Sequence, residues 1–209
     1  MEMKKEESIY GNHLPELEAV CQLLVDRVQA IREEMAGERG FDPVDHCLSR
    51  IKTEESMREK CRRKGLPETT ESALEKLYDA VGVRVVCSFL SDVYVIRDHL
   101  ASMPDVDVIE EKDYIRHAKP NGYRSYHMIL RVNGSVYAEI QLRTISQDTW
   151  AALEHQMKYK KNLNGNTELI VEELKRCADE LASTDVSMQT IRDLINSSDG
   201  KPQSRKNKE

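Results

Sequence analysis

Residues 125–144 read SYHMILRVNGSVYAEIQLRT, two β-rich runs on either side of Asn133-Gly134. That dipeptide accepts the positive φ angles of a tight hairpin turn. Strands are therefore expected over about 125–132 and 135–144. With a period of two, Ala138, Ile140 and Leu142 fall on one side of the second strand. Tyr137, Glu139, Gln141 and Arg143 fall on the other. A row carrying a carboxylate, an amide and a guanidinium is either a solvated face or the wall of a polar site. The strand alone leaves both readings open.

Outward from the hairpin, helices and strands alternate. Leu17, Cys21, Leu24, Val28, Ile31 and Met35 recur at helical spacing, which predicts an amphipathic helix over about 14–36 that ends near Gly37. A short strand is expected at 46–52. Thr53 then caps a helix that runs to about Lys64 and stops at Gly65 and Pro67. Further expectations are a helix at about 70–79, a buried strand at 81–89 (VGVRVVCSF), a helix at 92–102 and a strand at 105–115. A turn at Lys119-Pro120-Asn121-Gly122 follows. After the hairpin come helices at about 146–158 and 167–195. Leu169, Leu174, Ala178, Leu181, Ile191 and Leu194 give the last helix an apolar stripe. The stretch SSDGKPQSRKNKE, from 197, has too little apolar content to fold and is expected to be a disordered tail.

Composition excludes several classes of function. The chain has 209 residues, 39% hydrophobic and 33% charged, with only 5% aromatic. That suits a helix-rich soluble domain and leaves no 18-residue apolar stretch for a membrane span. The first residues, MEMKKEESIYGNH, lack the apolar run of a signal peptide. The five cysteines are Cys21, Cys47, Cys61, Cys87 and Cys177. They are odd in number and show no C-x-x-C, which points to reduced thiols in the cytoplasm and not to a structural zinc site.

The net charge of −6 is unevenly spread. Residues 50–64 hold Arg50, Lys52, Arg58, Lys60, Arg62, Arg63 and Lys64 against Glu54, Glu55 and Glu59. Residues 116–131 hold Arg116, Lys119, Arg124 and Arg131 with His117 and His127, and no acid. Two basic islands in an acidic chain suit a local anionic ligand better than a general nucleic-acid surface. Arg50 and Lys52 share one side of a strand, and Ser56, Lys60 and Arg63 share one face of the next helix. Such forks and point charges match polyphosphate oxygens. In KPNGYRSYH (119–127), Tyr123 offers an aromatic plate beside Lys119, Arg124 and His127, the chemistry of a nucleotide pocket.

Taken together, Arg50-x-Lys52, Asp79-x-x-Gly82-x-Arg84, KPNGYRSYH, EIQLRT (139–144) and WAALEHQMKYK (150–160) resemble the synthetase domain of the RelA/SpoT family, and within it the small alarmone synthetases. The resemblance covers about residues 14–195. With no hydrolase motif before it and no room for a regulatory domain after it, a synthetase alone is expected. It would be one domain over 1–196 with its catalytic core at about 45–160. The implied fold is α+β, a mixed five-stranded, nucleotidyltransferase-like sheet flanked by N- and C-terminal helices.

The resemblance further implies a cytoplasmic enzyme that transfers the β,γ-diphosphate of ATP to the ribose 3′-hydroxyl of GDP or GTP. Asp79 and Glu139 would hold Mg²⁺, and Glu139 would also be the general base. Arg50 and Arg84 would sandwich the adenine, while Lys52, Ser56, Lys60 and Arg63 hold the ATP phosphates. Tyr123 would stack on guanine, with Lys119 and His127 near the 5′-phosphates and Gln141 nearby. Asp148, where relatives often carry asparagine, would accept from the guanine edge. A homotetramer through the C-terminal helices is the expected assembly, with no membrane or stable nucleic-acid partner. Two rival readings are a relative that pyrophosphorylates the tRNA 3′ end and a catalytically inactive nucleotide- or RNA-binding regulator. The run Glu110-Glu111-Lys112-Asp113 mixes two versions of a charged motif that separates family classes, so the preferred acceptor stays open. His46 stands where tetrameric relatives carry an aromatic contact for an allosteric alarmone, which leaves product feedback open as well.

Overall fold

The computed structural model describes residues 8–159 and 167–199. The chain runs α1 (Leu14–Arg39), β1 (Val44–Ile51), α2 (Glu54–Lys64), β2 (Val81–Cys87), α3 (Leu90–Ala101), β3 (Val106–Asp113), β4 (Tyr126–Val132), β5 (Val136–Thr144), α4 (Ile145–Tyr159) and α5 (Thr167–Asp199). The strands form one sheet in the order β1-β2-β5-β4-β3. Only β2 and β5 run parallel; the other neighbours are antiparallel. The expected α+β fold with a mixed five-stranded sheet is therefore present.

The hairpin forms as its sequence predicts. Asn133 and Gly134 take φ of 52° and 70°, and Ser135 N closes the turn on Val132 O at 3.1 Å. Strand periodicity then divides the sheet. Val81, Val83, Val85, Met128, Leu130, Ala138, Ile140 and Leu142 are buried on one face, against α1 and α3. The predicted stripe of α1 lies in the same core, with Leu17, Leu24, Val28 and Met35 each at most 2% exposed. The opposite face carries Arg50, Gly82, Arg84, His127, Glu139 and Gln141. Its register sets Arg50 beside Gly82, Gly82 beside Glu139, and Gln141 beside both Arg84 and His127.

Three segments differ from expectation. The helix expected at 70–79 is shorter: residues 70–71 are helical, with Thr69 Oγ1 accepting from Ser72 N, and they lead into one π-turn, Ser72–Lys76, that closes with Leu77 N on Ser72 O. The chain must then run extended, because Lys52 N bonds Ala80 O at 2.8 Å and prolongs the β1/β2 ladder; this brings Asp79 to the end of the sheet. The apolar stripe of α5 splits: Ala178 is buried and Leu174 and Leu181 half-buried, whereas Leu169, Ile191 and Leu194 are exposed. Finally, α5 continues to Asp199, so only residues 197–199 of the expected tail are described, and they are helical. No described helix is long and apolar enough to cross a membrane.

What replaces apolar packing along α5 is polar. Arg192 bonds both oxygens of the fully buried Asp92 on α3 at 2.9 and 3.1 Å and also meets Ser91, while its guanidinium lies over Phe89 and Phe41. Removing one partner of a buried ion pair leaves a charge without compensation. Asp92→Ala should therefore cost about 3–5 kcal/mol in urea unfolding. Asp92→Ala combined with Arg192→Met should recover part of that loss. A single variant within ~0.5 kcal/mol of wild type would contradict this role for the pair.

Candidate active site

A cavity of about 180 Å³ opens on the polar sheet face, lined by Leu48, Ser49, Arg50, Lys52, Asp79, Gly82, Val83, Arg84, Glu139 and Gln141. Gly82 makes room for it. A Cβ there would sit 3.9–4.0 Å from Arg50, so any larger side chain would fill the floor between Arg50 and Glu139. A smaller hollow adjoins it, lined by Arg50, Lys52, Thr53 and Ser56. Ser56 is held in the first turn of α2, where Thr53 accepts its backbone N–H and donates its own hydroxyl to Ser56 Oγ. Arg50, Lys52, Ser56 and Arg84 thus line these hollows; Lys60 lines neither but reaches Asp79, whereas Arg63 is exposed on α2 and lines neither.

The Asp79 carboxylate is the electrostatic anchor of this half. Its Oδ2 meets Lys52 Nζ at 2.8 Å and Lys60 Nζ at 2.6 Å. Its Oδ1 is buried with no hydrogen-bond partner among the described residues. Burial pushes the Asp79 carboxyl up, but the two lysines outweigh it and hold the group below the usual aspartate range. Arg84 is also under-satisfied, with Nε buried and unbonded. Burial, with Arg143 nearby, lowers its proton affinity, and Asp148 opposes that.

On the other side of the cavity a closed ring of hydrogen bonds holds Glu139. Arg143, 5% exposed, donates Nη2 to the Tyr123 hydroxyl at 2.7 Å and to Gln141 Oε1 at 3.1 Å. Gln141 Nε2 donates to Glu139 Oε2 at 3.1 Å. The Tyr123 hydroxyl lies 2.8 Å from His127 Nε2, and His127 Nδ1 lies 3.1 Å from Glu139 Oε1. A guanidinium only donates, so the tyrosine oxygen accepts from Arg143. A carboxylate only accepts, so His127 Nδ1 carries the ring proton and donates to Glu139, and in the neutral imidazole Nε2 accepts from the Tyr123 hydroxyl. Burial pushes the Glu139 carboxyl up, and the bonds from His127 and Gln141 bring it net below the usual range.

The remaining predicted residues frame this ring. Lys119 Nζ lies 4.4 Å from the Tyr114 ring centre and 4.7 Å from that of Tyr123. Asp148 bridges the two halves, with Oδ1 at 3.0 Å from Arg143 and 3.4 Å from Arg84 and Oδ2 at 3.9 Å from His46. Arg124 turns away from the cavity, toward Gly122 O and Asp179 on α5. Sequence reasoning missed Tyr114 and the part of Glu154, which accepts from Asn121 at 3.1 Å and so pins the 119–122 turn. Trp150 and Glu154 stand four apart in WAALEHQMKYK, a helical spacing that puts both on one face of α4. Trp150 donates to Leu174 O of α5. Lys160 of that motif lies outside the described residues.

The donor set fits a small, hard divalent cation. Mg²⁺ is bound by one or two carboxylates together with substrate phosphates. Asp79, with its unbonded Oδ1, and Glu139 border one cavity, and no third acid joins them in a metal-type cluster among the described residues.

Two carboxylates between a cationic groove and the Tyr123–His127 ring make an arrangement suited to phosphoryl transfer. The family model "Region found in RelA / SpoT proteins" matches residues 49–164. The chain is 41% identical over 160 residues to the GTP pyrophosphokinase YwaC of Bacillus subtilis, covering 73% of this chain and 76% of that protein. The crystal structure of small alarmone synthetase 2 from B. subtilis superposes with a TM-score of 0.75 at 36% identity, covering 87% of this chain and 97% of that one. Small alarmone synthetase 1 of the same organism, bound to its product pppGpp, gives 0.75 at 29% identity over 88% and 96%. The chain belongs to the RelA/SpoT family.

Both Asp79 and Glu139 titrate below their ordinary values. Each adds stability that is fully present above its unfolded value and is lost as pH falls through its lower folded value. Glu139→Gln should therefore flatten the acid limb of the unfolding free energy measured between about pH 6 and 3. A variant with the wild-type acid limb would contradict the lowered Glu139 carboxyl.

Proposed function

We propose that the chain is a (p)ppGpp synthetase, a GTP/GDP diphosphokinase whose described residues carry the synthetase domain. It transfers the β,γ-diphosphate of ATP to the ribose 3′-hydroxyl of GDP or GTP. The observation that carries this reading is the single cavity in which Asp79 and Glu139 lie between the Arg50/Lys52/Lys60 groove and the Tyr123–His127 ring. The family's GTP pyrophosphokinases and the pppGpp-bound relative support the same substrates.

In this reading ATP enters along β1 and α2. The Arg50 and Arg84 guanidinium planes flank the adenine, with Gly82 leaving the space between them. Lys52, Lys60 and Ser56 take the phosphates, and Arg63 adds only long-range charge from the outer turn of α2. Asp79 and Glu139 hold Mg²⁺, which when bound draws charge from the triphosphate and eases attack at the β-phosphorus. Lys52 and Lys60 exchange the Asp79 carboxylate for phosphate oxygens. The acceptor base stacks on Tyr123, with Lys119 and His127 toward its 5′-phosphates and Gln141 beside the reacting end. Asp148, whose Oδ1 is shared by Arg143 and Arg84, offers Oδ2 to the guanine edge and ties the acceptor half to the donor half.

Glu139 accepts the 3′-hydroxyl proton as the O3′–Pβ bond forms and the Pα–O–Pβ bridge breaks, releasing AMP. A carboxylate held below its usual range is a weak base, so orientation contributes more than basicity. The exposed Val186, Ile191, Leu194 and Ile195 on α5 support self-association, with a homotetramer as our reading. Five unpaired thiols accord with a cytoplasmic setting for the stringent response.

The test is incubation with γ-labelled ATP, Mg²⁺ and GDP, GTP or tRNA in turn. Label in ppGpp or pppGpp supports the reading; label in tRNA alone, or no transfer at all, overturns it. Glu139→Gln should retain ATP binding and lose turnover by about 10²–10⁴-fold. Arg50→Ala should weaken an ATP analogue by roughly 3–30-fold and leave GDP affinity unchanged in calorimetry.

A further inference from the structure

Tyr123 sits in a turn that is fastened to the C-terminal helix on both sides. Gly122 takes φ of +89°, and a Cβ there would come within 2.7 Å of Ala178 Cβ and 3.1 Å of Lys175 Cα. The turn backbone therefore rests directly on α5. Arg124 completes the clamp: Nη1 donates to Gly122 O at 3.2 Å and Nη2 to Asp179 Oδ1 of α5 at 2.9 Å. Asn121 donates to Glu154 of α4 and accepts from Tyr123 N. Residues 121, 122 and 124 are thus each held by α4 or α5, and residue 123 between them is left no independent course.

The clamp is anchored in turn. α5 is fixed to the body of the protein by Arg192 on Asp92, by Thr144 Oγ1 on Asp185 at 2.6 Å and by Gln189 accepting from Ser91 N at 3.1 Å. None of the α5 residues lines the cavity at Asp79 and Glu139. The sequence places Arg124 among the nucleotide-site donors, yet its guanidinium is spent on the helix.

We propose that Arg124 is a positioning residue: through Gly122 and Asp179 it seats the 119–124 turn on α5 and so fixes where Tyr123 presents its ring to the acceptor nucleotide. Helix α5 is thereby a structural part of the acceptor half and has no part in the donor half. This rests on the reading of Tyr123 as the acceptor plate. A misplacement of the turn by a fraction of an ångström acts on acceptor binding first, since the donor groove is built from β1, α2 and β2.

Calorimetry with GDP and, separately, a non-hydrolysable ATP analogue tests this on Arg124→Ala, Arg124→Lys and Ala178→Met, with GDP kinetics alongside. Ala178→Met leaves the Arg124–Asp179 pair intact and occupies the space that Gly122 leaves open, so it probes the same seat by a second route if Arg124→Ala folds poorly. Arg124→Ala and Ala178→Met should each raise the GDP Kd and KM about fivefold, with ATP-analogue affinity unchanged. Arg124→Lys, which keeps one donor, should recover part of the loss. GDP affinity at the wild-type level in both Arg124→Ala and Ala178→Met would overturn the proposal, as would equal weakening of both nucleotides with a lowered Tm. Tyr123→Ala serves as the reference. If it also leaves GDP binding unchanged, the acceptor reading itself fails; if it alone weakens GDP, only the positioning role of Arg124 falls.

Discussion

A buried guanidinium organises this site. Arg143 is 5% exposed, and a buried cation is tolerable only when paired and hydrogen-bonded. Asp148 supplies the countercharge at Nη1, the Tyr123 hydroxyl and Gln141 Oε1 accept from Nη2, and Ser125 Oγ accepts from Nε. The two acceptors at Nη2 lead to Glu139, one through His127 and one directly. Satisfying one interior charge therefore aims a carboxylate and sets an aromatic ring at the same time. Low local polarity strengthens every bond in such a ring and makes a missing member costly.

The sheet makes the ring possible. Tyr137, Glu139, Gln141 and Arg143 project from one face of β5. The antiparallel partner β4 brings His127 opposite Gln141, and the parallel partner β2 brings Gly82 opposite Glu139. Gly82 separates Glu139 from Arg50 by a space and not by a side chain. Asp79 arrives from the extended segment that leads into β2 and meets Lys52 and Lys60 there. Each carboxylate of the site thus has its own set of donors, and neither depends on the other for compensation.

Much of this was legible in the chain. Asn133-Gly134 and the alternation around it define the hairpin, and Glu139, Gln141 and Arg143 share the face their spacing implies. Thr53 and Gly65 bound α2 as expected. The rest depended on tertiary contacts. The π-turn at 72–76 arises because the chain must turn extended to join the β1/β2 ladder, a demand invisible to local propensity. The split of the α5 stripe follows from polar anchors, Asp92 and Thr144, that lie far away in sequence. Arg124 looks like any other donor in KPNGYRSYH until α5 is in place. The direction of the Tyr123 hydroxyl, and with it the link through His127 to Glu139, also requires the fold.

The site turns on the polarity of the ring, from Arg143 through Tyr123 and His127 to Glu139. Long-range ¹H–¹⁵N correlation spectroscopy of the imidazole side chains reads this polarity directly. The ring predicts a His127 signal with the proton on Nδ1 and a bare Nε2 that accepts from Tyr123. A proton on Nε2 would contradict it, because the tyrosine hydroxyl would then have no acceptor in His127 and the chain of donors leading to Glu139 would be broken.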